Sequence, residues 1–377
     1  MRPARLSVLP PLPLAVYARR PAGLPFPLGQ PACTLFARAR HGLWHGVRAL
    51  GLGPGDEVLV PAYHHGSEIE AFARAGITCR FYDVAEDLRP DPGELEALLG
   101  PRTRALHLIH YLGFPQDAPR WRAWCDGRGL LLSEDAAQAW LGSVGERPLG
   151  SFGDLAIFCL YKTFGLPDGA ALLSSVPPAV GPRSAATGLG RLARRHARWL
   201  EARSAAFATI GAGLRRPRRY SPENDFALGD PDSAPSGATR LLLSRVADES
   251  VAARRRDNYR FLLAELGDLA PAPFDALPDG AAPHAFPVET DDGATMLRRL
   301  ADHGIRAFSF WTHHHPLLPA TGFPNAAAWR ARLVVLPVHQ ELRPEDLRRI
   351  AAVAREAQAD AGGRPPPEAR ASSYTRS

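Results

Sequence analysis

The stretch LLLSEDAAQAWLGSVGERPLGSFGDLAIFCLYK, Leu130 to Lys162, holds two apolar runs, each closed by charged residues. The first ends in Glu134 and Asp135, and the second, DLAIFCLYK, reads as a strand with Lys162 at its end. Lys162 is the only lysine in 377 residues, so 44 of the 45 Lys plus Arg residues are arginine. A solvated surface cation is evidently arginine by default in this chain. Lysine differs in that a buried ammonium can lose its proton, whereas guanidinium stays charged. The free amine attacks carbonyls. From composition alone, Lys162 is either a member of an ordinary ion pair or a reactive amine.

Working outward, the same alternation recurs. A helix through HGLWHGVRALGL ends at the glycines of GLGPGDEV, and EVLVPAY is a strand closed by proline. SEIEAFARAG is a helix, CRFYDV a strand, ELEALLG a short helix, RALHLIHYLG a strand and APRWRAWCDGRG a helix. Strands separated by helices imply parallel crossovers, and ligands in such sheets bind at the carboxyl ends of the strands. His64, His65, His110, Tyr111, Glu134, Asp135 and Lys162 all follow such runs and converge on one crevice. From about Ser175 to Pro235 the chain turns Arg- and Ala-rich and helical, with no evident chemistry. RLLLSRVADESVAARRRDNYRFLLAELG reads as one long helix into a C-terminal part, where HAFPVET and ARLVVLPV are strands and RPEDLRRIAAVAREAQ is a helix. The expected division is a Pro-rich N-terminal arm (1–34), a large domain (35–240), a smaller α/β domain (241–360) and a disordered tail (361–377).

Composition narrows the function classes. The charge of +6 comes from scattered arginines with acids between them, which supplies solubility rather than a nucleic-acid footprint. Cys33, Cys79, Cys125 and Cys159 show no zinc-ligand spacing, so a reducing cytoplasm is expected and no metal. No apolar run spans a bilayer, and the prolines of MRPARLSVLPPLPLAV break the helix a signal sequence needs. The HHH of WTHHHPLLP has no second ligand cluster, leaving a substrate-facing loop or a plain surface turn. Gly51, Gly53 and Gly55 follow a helix and precede a strand, the reverse of a dinucleotide loop.

An acid at one strand end and a lysine at another, about two dozen residues on, suit pyridoxal 5'-phosphate (PLP). GLGPGDEVLVPAYHH, FYDV with DPGELEALLGPRTRALHLIHYLG, SEDAAQAWLGSVGERPLGSFGDLAIF and FPNAAAWRARLVVLPVHQELRPEDLRRI together resemble the DegT/DnrJ/EryC1/StrS family of sugar aminotransferases. The similarity runs over about residues 35 to 355 and is weak between about 175 and 240. It implies an α/β, fold type I PLP-dependent transferase: a large domain with a mostly parallel mixed sheet flanked by helices, plus a smaller C-terminal α/β domain. It also implies a homodimer that passes an amino group from an amino acid such as glutamate to a keto sugar, sugar nucleotide or related ketone.

By the same resemblance Lys162 is the Schiff-base lysine, Asp135 partners the pyridine nitrogen, Gln138 lies beside the ring, and His65 stands where the family places an aromatic residue against it. The family's phosphate-binding Gly-Thr pair becomes Ala39 and Arg40, which makes Arg40 the phosphate ligand here. Cys159 stands closer to the lysine than the family's serine does. The glycine pair after the lysine is Gly169 and Ala170, and the partner subunit's Asn-containing loop is not recognisable after Ser175. A dehydratase of the same family would carry histidine in place of Lys162. A binding or scaffold homologue that keeps only the fold is the alternative from another class.

Overall fold

The computed structural model describes residues 3–213 and 221–361. Seven strands build the main sheet: β1 (Cys33–Phe36), β2 (Glu57–Pro61), β3 (Thr78–Tyr82), β4 (Thr103–Ile109), β5 (Leu131–Asp135), β6 (Leu155–Cys159) and β7 (Ala170–Ser174). Their order is β1-β7-β6-β5-β4-β2-β3. The five strands β2 to β6 pair in parallel, and β7 runs antiparallel to both β6 and β1. The α/β class and the parallel crossovers therefore stand as expected, with an antiparallel margin that the strand-helix alternation does not announce.

Residue choice explains the layers. β2 and β6 are buried along their whole length, which fits their unbroken apolar character between two layers of helix. Helix α1 (Ala39–Ala49) covers one face through Leu43 and Val47, both essentially inaccessible, each stabilising by about 1.5–3 kcal/mol. Gly46 lets α1 lie close: a Cβ there would sit 2.9 Å from Leu172. Helix α2 (Ser67–Arg74) packs against α1, and α3 (Pro92–Leu98) starts at Asp91, whose carboxylate accepts from Glu94 N. Helix α4 (Ala118–Asp126) starts the same way at Asp117.

Three expectations need correction. The strand read through Lys162 stops at Cys159, and Lys162 lies in the short helix α5 (Leu160–Thr163). There the chain turns: Leu160 N bonds Gly169 O and Phe164 N bonds Leu160 O, so the backbone leaves the sheet before the lysine. The long helix read over 240–267 is two, Gly237–Val246 and Ser250–Leu266, because the Asp248 carboxylate takes both the N–H and the hydroxyl of Ser250. The Arg- and Ala-rich helical stretch of 188–210 divides at Ser204, which is extended, into α6 (Leu189–Arg203) and a second helix from Ala205 to Gly213.

A smaller antiparallel sheet follows, β8 (Phe286–Glu289), β9 (Phe308–Ser309) and β10 (Leu333–Leu336) in the order β8-β10-β9. Two backbone bonds, Ala282 N to Gly113 O and His284 N to Leu112 O, tie it to the segment after β4. Gly113 has φ +91, and a Cβ would stand 2.1 Å from Ala282 O, so only glycine permits this crossing. The N-terminal arm is a structural member: Leu6–Ser7 pairs in parallel with Ile305–Arg306, and Leu6, Val8, Leu12 and Val16 are buried. All but the first residue of the tail expected after Asp360 lies outside the described residues.

Candidate active site

A cavity of about 610 Å³ opens at the carboxyl ends of β4, β5 and β6. Lys162 lies in its wall, together with Asp135, Gln138, His65, Arg40 and Cys159. The six residues singled out from the sequence thus come from four separate parts of the chain to one hollow. Glu68, Arg38, Tyr161, His284, Phe226 and Trp311 line it as well. Sequence reasoning passed over these six, and only Tyr161, beside the lone lysine, had a usable signal.

The acids set the field. Asp135 is pushed up to about 6, chiefly by burial and further by Glu68, while Lys162 and the Ala137 N–H pull it down. Its Oδ1 accepts that N–H at 2.8 Å. Glu68 is buried and takes the His65 N–H at 2.9 Å; burial raises it, but the His64, His65 and His107 rings and a backbone N–H together hold it below the usual carboxylate range. At Lys162 burial favours the neutral amine, yet Cys159, Tyr161, Asp135 and Glu68 together outweigh burial and raise its pKa. The sequence left Lys162 between an ordinary ion pair and a reactive amine, and in this field the surrounding acidic groups favour its charged form.

Neighbouring elements hold these groups in place. Glu134, one residue before Asp135 and fully inaccessible, accepts from Gly150 N, Phe152 N and Gly153 N and pairs with His110 Nε2 at 3.1 Å, fixing the loop that leads back into β6. Gln138 Oε1 accepts from Leu112 N at 2.9 Å, where Leu112 has φ +52. Arg255, buried, donates to the carbonyls of Lys162, Thr163 and Pro283 and to Gln340 Oε1, so the turn carrying the lysine is clamped from the C-terminal part. Arg330 donates to Ala62 O, His64 O, Trp311 O and His313 O, stitching the end of β2 to the Trp311 segment.

The remaining candidates separate. His65 meets Phe226 and Trp311 edge-on, and burial lowers it to about 4. His64 is buried outside the cavity lining against Phe81. His313 lines the cavity and His315 bonds Glu70 at 3.1 Å, so the HHH run is part wall and part anchor. Arg40 donates to Ala227 O at 2.6 Å, and Arg38 lies over the Tyr161 ring. Among the described residues no cluster of His, Cys, Asp or Glu could hold a metal ion, and no helix is long and apolar enough to cross a membrane.

The residues present fit PLP. His65 Nδ1 and His284 Nδ1 are buried without hydrogen-bond partners among the described residues, leaving polar capacity in the cavity wall. A primary amine, a carboxylate and two guanidiniums at the start of α1, whose first amides have no partner inside the helix, supply what an aldehyde, a ring nitrogen and a phosphate require.

Comparison with known proteins agrees. The model of the DegT/DnrJ/EryC1/StrS aminotransferase family matches residues 28–174 and 241–355. A UDP-N-acetyl-3-dehydro-alpha-D-glucosamine 3-aminotransferase of Acidithiobacillus ferrooxidans is 36% identical over 118 residues, 31% of this chain and 32% of that protein. The dTDP-3-amino-3,4,6-trideoxy-alpha-D-glucose transaminase of Streptomyces venezuelae is 29% identical over 326 residues, 81% of this chain and 78% of that one. The chain thus spans about a third of the first relative and more than three quarters of the second. The crystal structure of S. venezuelae DesV superimposes with a TM-score of 0.63 at 25% identity, covering 86% of this chain and 84% of that one.

Proposed function

We propose a specific transfer for a chain that belongs to the DegT/DnrJ/EryC1/StrS family of PLP-dependent sugar aminotransferases: from an amino acid, glutamate in the first instance, to a ketone on a sugar or sugar nucleotide. The observation that carries this reading is that the only lysine and a buried, raised aspartate share one cavity. In this reading Lys162 holds the cofactor, Asp135 its ring nitrogen, His65 and Gln138 flank the ring, and Arg40 with Arg38 and the start of α1 take the phosphate. When bound, PLP supplies an electron sink for the pair left at the donor's α-carbon.

The chain's own residues do the rest. Asp135, were it paired with the cofactor's ring nitrogen, would no longer hold the proton on Lys162 as strongly, and the amine would move toward its neutral form. Lys162 Nζ then takes and returns the substrate proton as a general base and acid. Cys159, buried and raised chiefly by desolvation, stays a thiol behind it and hydrogen-bonds Tyr161. The aromatic wall of Phe226, Phe310 and Trp311 keeps water from the reacting atoms.

Residues 35–240 serve in this reading as the cofactor-binding unit and 241–360 as the smaller one. Exposed Leu189, Phe207, Ile210 and Leu241 on the helices after residue 188 suit the homodimer contact. Purified protein supplied with PLP is expected to show a visible absorbance band that glutamate changes. Lys162→Ala is expected to lose that band and all turnover while melting normally. Normal turnover by the variant, or a wild type that ignores PLP, refutes the assignment.

A further inference from the structure

A second hollow of about 220 Å³ lies beside the first, and Leu9 and Phe308 line both. Its other walls are Arg5, Ser7, Val8, Arg198, Glu201 and Arg306. Three elements bring them together. The strand Leu6–Ser7 pairs with Ile305–Arg306, and Arg5 N donates to Glu201 O of α6 at 2.8 Å, so arginines from the N-terminal segment, from α6 and from the C-terminal part line one space. Arg5, Ser7, Arg198 and Glu201 lie outside the segments that the family model matches. Most of the hollow's wall therefore lies beyond the segments by which the family is recognised.

Among the described residues its charge is unbalanced: three guanidiniums against one carboxylate, a formal +2. Glu201 reaches Arg5 at 3.4 Å, and Arg5 Nε is buried without a hydrogen-bond partner. The Glu201 carboxylate also acts through space on Arg198 and Arg306, so one acid serves all three guanidiniums of the lining. A ligand that settles here must bring about two negative charges and several acceptor oxygens set for bidentate guanidinium bonds, which is the description of a phosphoryl group. A carboxylate brings one charge and two oxygens.

We propose that this pocket binds a phosphoryl group at the mouth of the Lys162 cavity. The binding itself is independent of the reaction assigned above. That the phosphoryl group belongs to the amino acceptor, which would place its ketone on the Lys162 side of the Leu9 and Phe308 wall, rests on that assignment.

The test uses full-length protein loaded with PLP, so that the cofactor's own phosphate position is filled, titrated calorimetrically at low salt with inorganic phosphate and with methyl phosphate. Wild type is expected to bind one equivalent saturably. Arg198→Ala and Arg306→Ala should each weaken binding by about tenfold or more, while R198K and R306K lose less. Competition by methyl phosphate supports a site for an esterified, ligand-borne group, and binding of inorganic phosphate alone supports a site for the free ion. Absence of saturable binding by wild type, or equal affinity in the double variant R198A/R306A, overturns the proposal. The change that glutamate causes in the wild-type PLP band reads the aminotransferase assignment separately.

Discussion

Replacing Asp135 by asparagine should stabilise the cofactor-free protein while disabling the enzyme. The side chain keeps its shape and still accepts the Ala137 N–H at 2.8 Å, but the buried charge is gone. Its pKa rises from 3.8 to about 6, and burial is the largest cause. A shift of about two units corresponds to roughly 3 kcal/mol. The sign follows from linkage: a carboxyl whose folded pKa exceeds its unfolded one costs stability once it is ionised in both states. The gain in Asp135→Asn is thus full above about pH 6, shrinks through the window between about 4 and 6, and vanishes below. For 377 residues unfolding together, about 2.1 cal/mol/K per residue makes roughly 3 kcal/mol a rise of about 4 °C. Melting scans of dialysed, PLP-free protein at pH 4 and pH 8 measure it, and turnover with PLP should fall sharply at either pH. An equal Tm difference at both pH values, or a destabilised variant at pH 8, refutes the desolvation argument.

Glu134→Gln should cost about 3 kcal/mol by denaturant titration, since an amide NH2 must face at least one of the donors now bound by the carboxylate. Glu134 lies below its usual range because its hydrogen bonds to His110, Gly150 and Gly153 outweigh burial, so its stabilisation is present above the unfolded carboxyl pKa and lost as pH falls through the lowered one. Wild type and variant should converge in stability at acid pH. Arg330→Ala strands four carbonyls, with an expected loss of about 3–5 kcal/mol in urea and a red-shifted Trp311 emission. An unshifted spectrum at full stability contradicts the stitching role.

How far the sequence could be read depended on the range of the interactions. β2 through β6 were legible because each is a short apolar run between helical ones, and Lys162 because one amine among guanidiniums has a chemical reason to exist. β7 escaped notice, since GAALLSS lacks the branched residues that mark a strand, and the antiparallel edge of the sheet with it. The strand carrying Lys162 was read too long, because its end is set by a bond from Leu160 N to Gly169 O that no local pattern encodes. Glu68 carries no signal of its own in the helix SEIEAFARAG, yet it is buried in the cavity wall. Arg255 and Arg330 could not be distinguished from 42 other arginines, since their role lies in carbonyls distant in sequence.

The pairing of Leu6–Ser7 with Ile305–Arg306 has a consequence for biosynthesis. Leu6, Val8, Leu12 and Val16 leave the ribosome about three hundred residues ahead of the strand that one end of them joins. Until then Leu6 and Val8 have no finished surface to enter, whereas Leu12 and Val16 pack in a separate cluster whose last buried member is Val251. The cavity wall formed by Leu9 and Phe308 therefore closes only after residues 305–308 have been made, so the site is completed by late synthesis rather than by the sheet that carries Lys162.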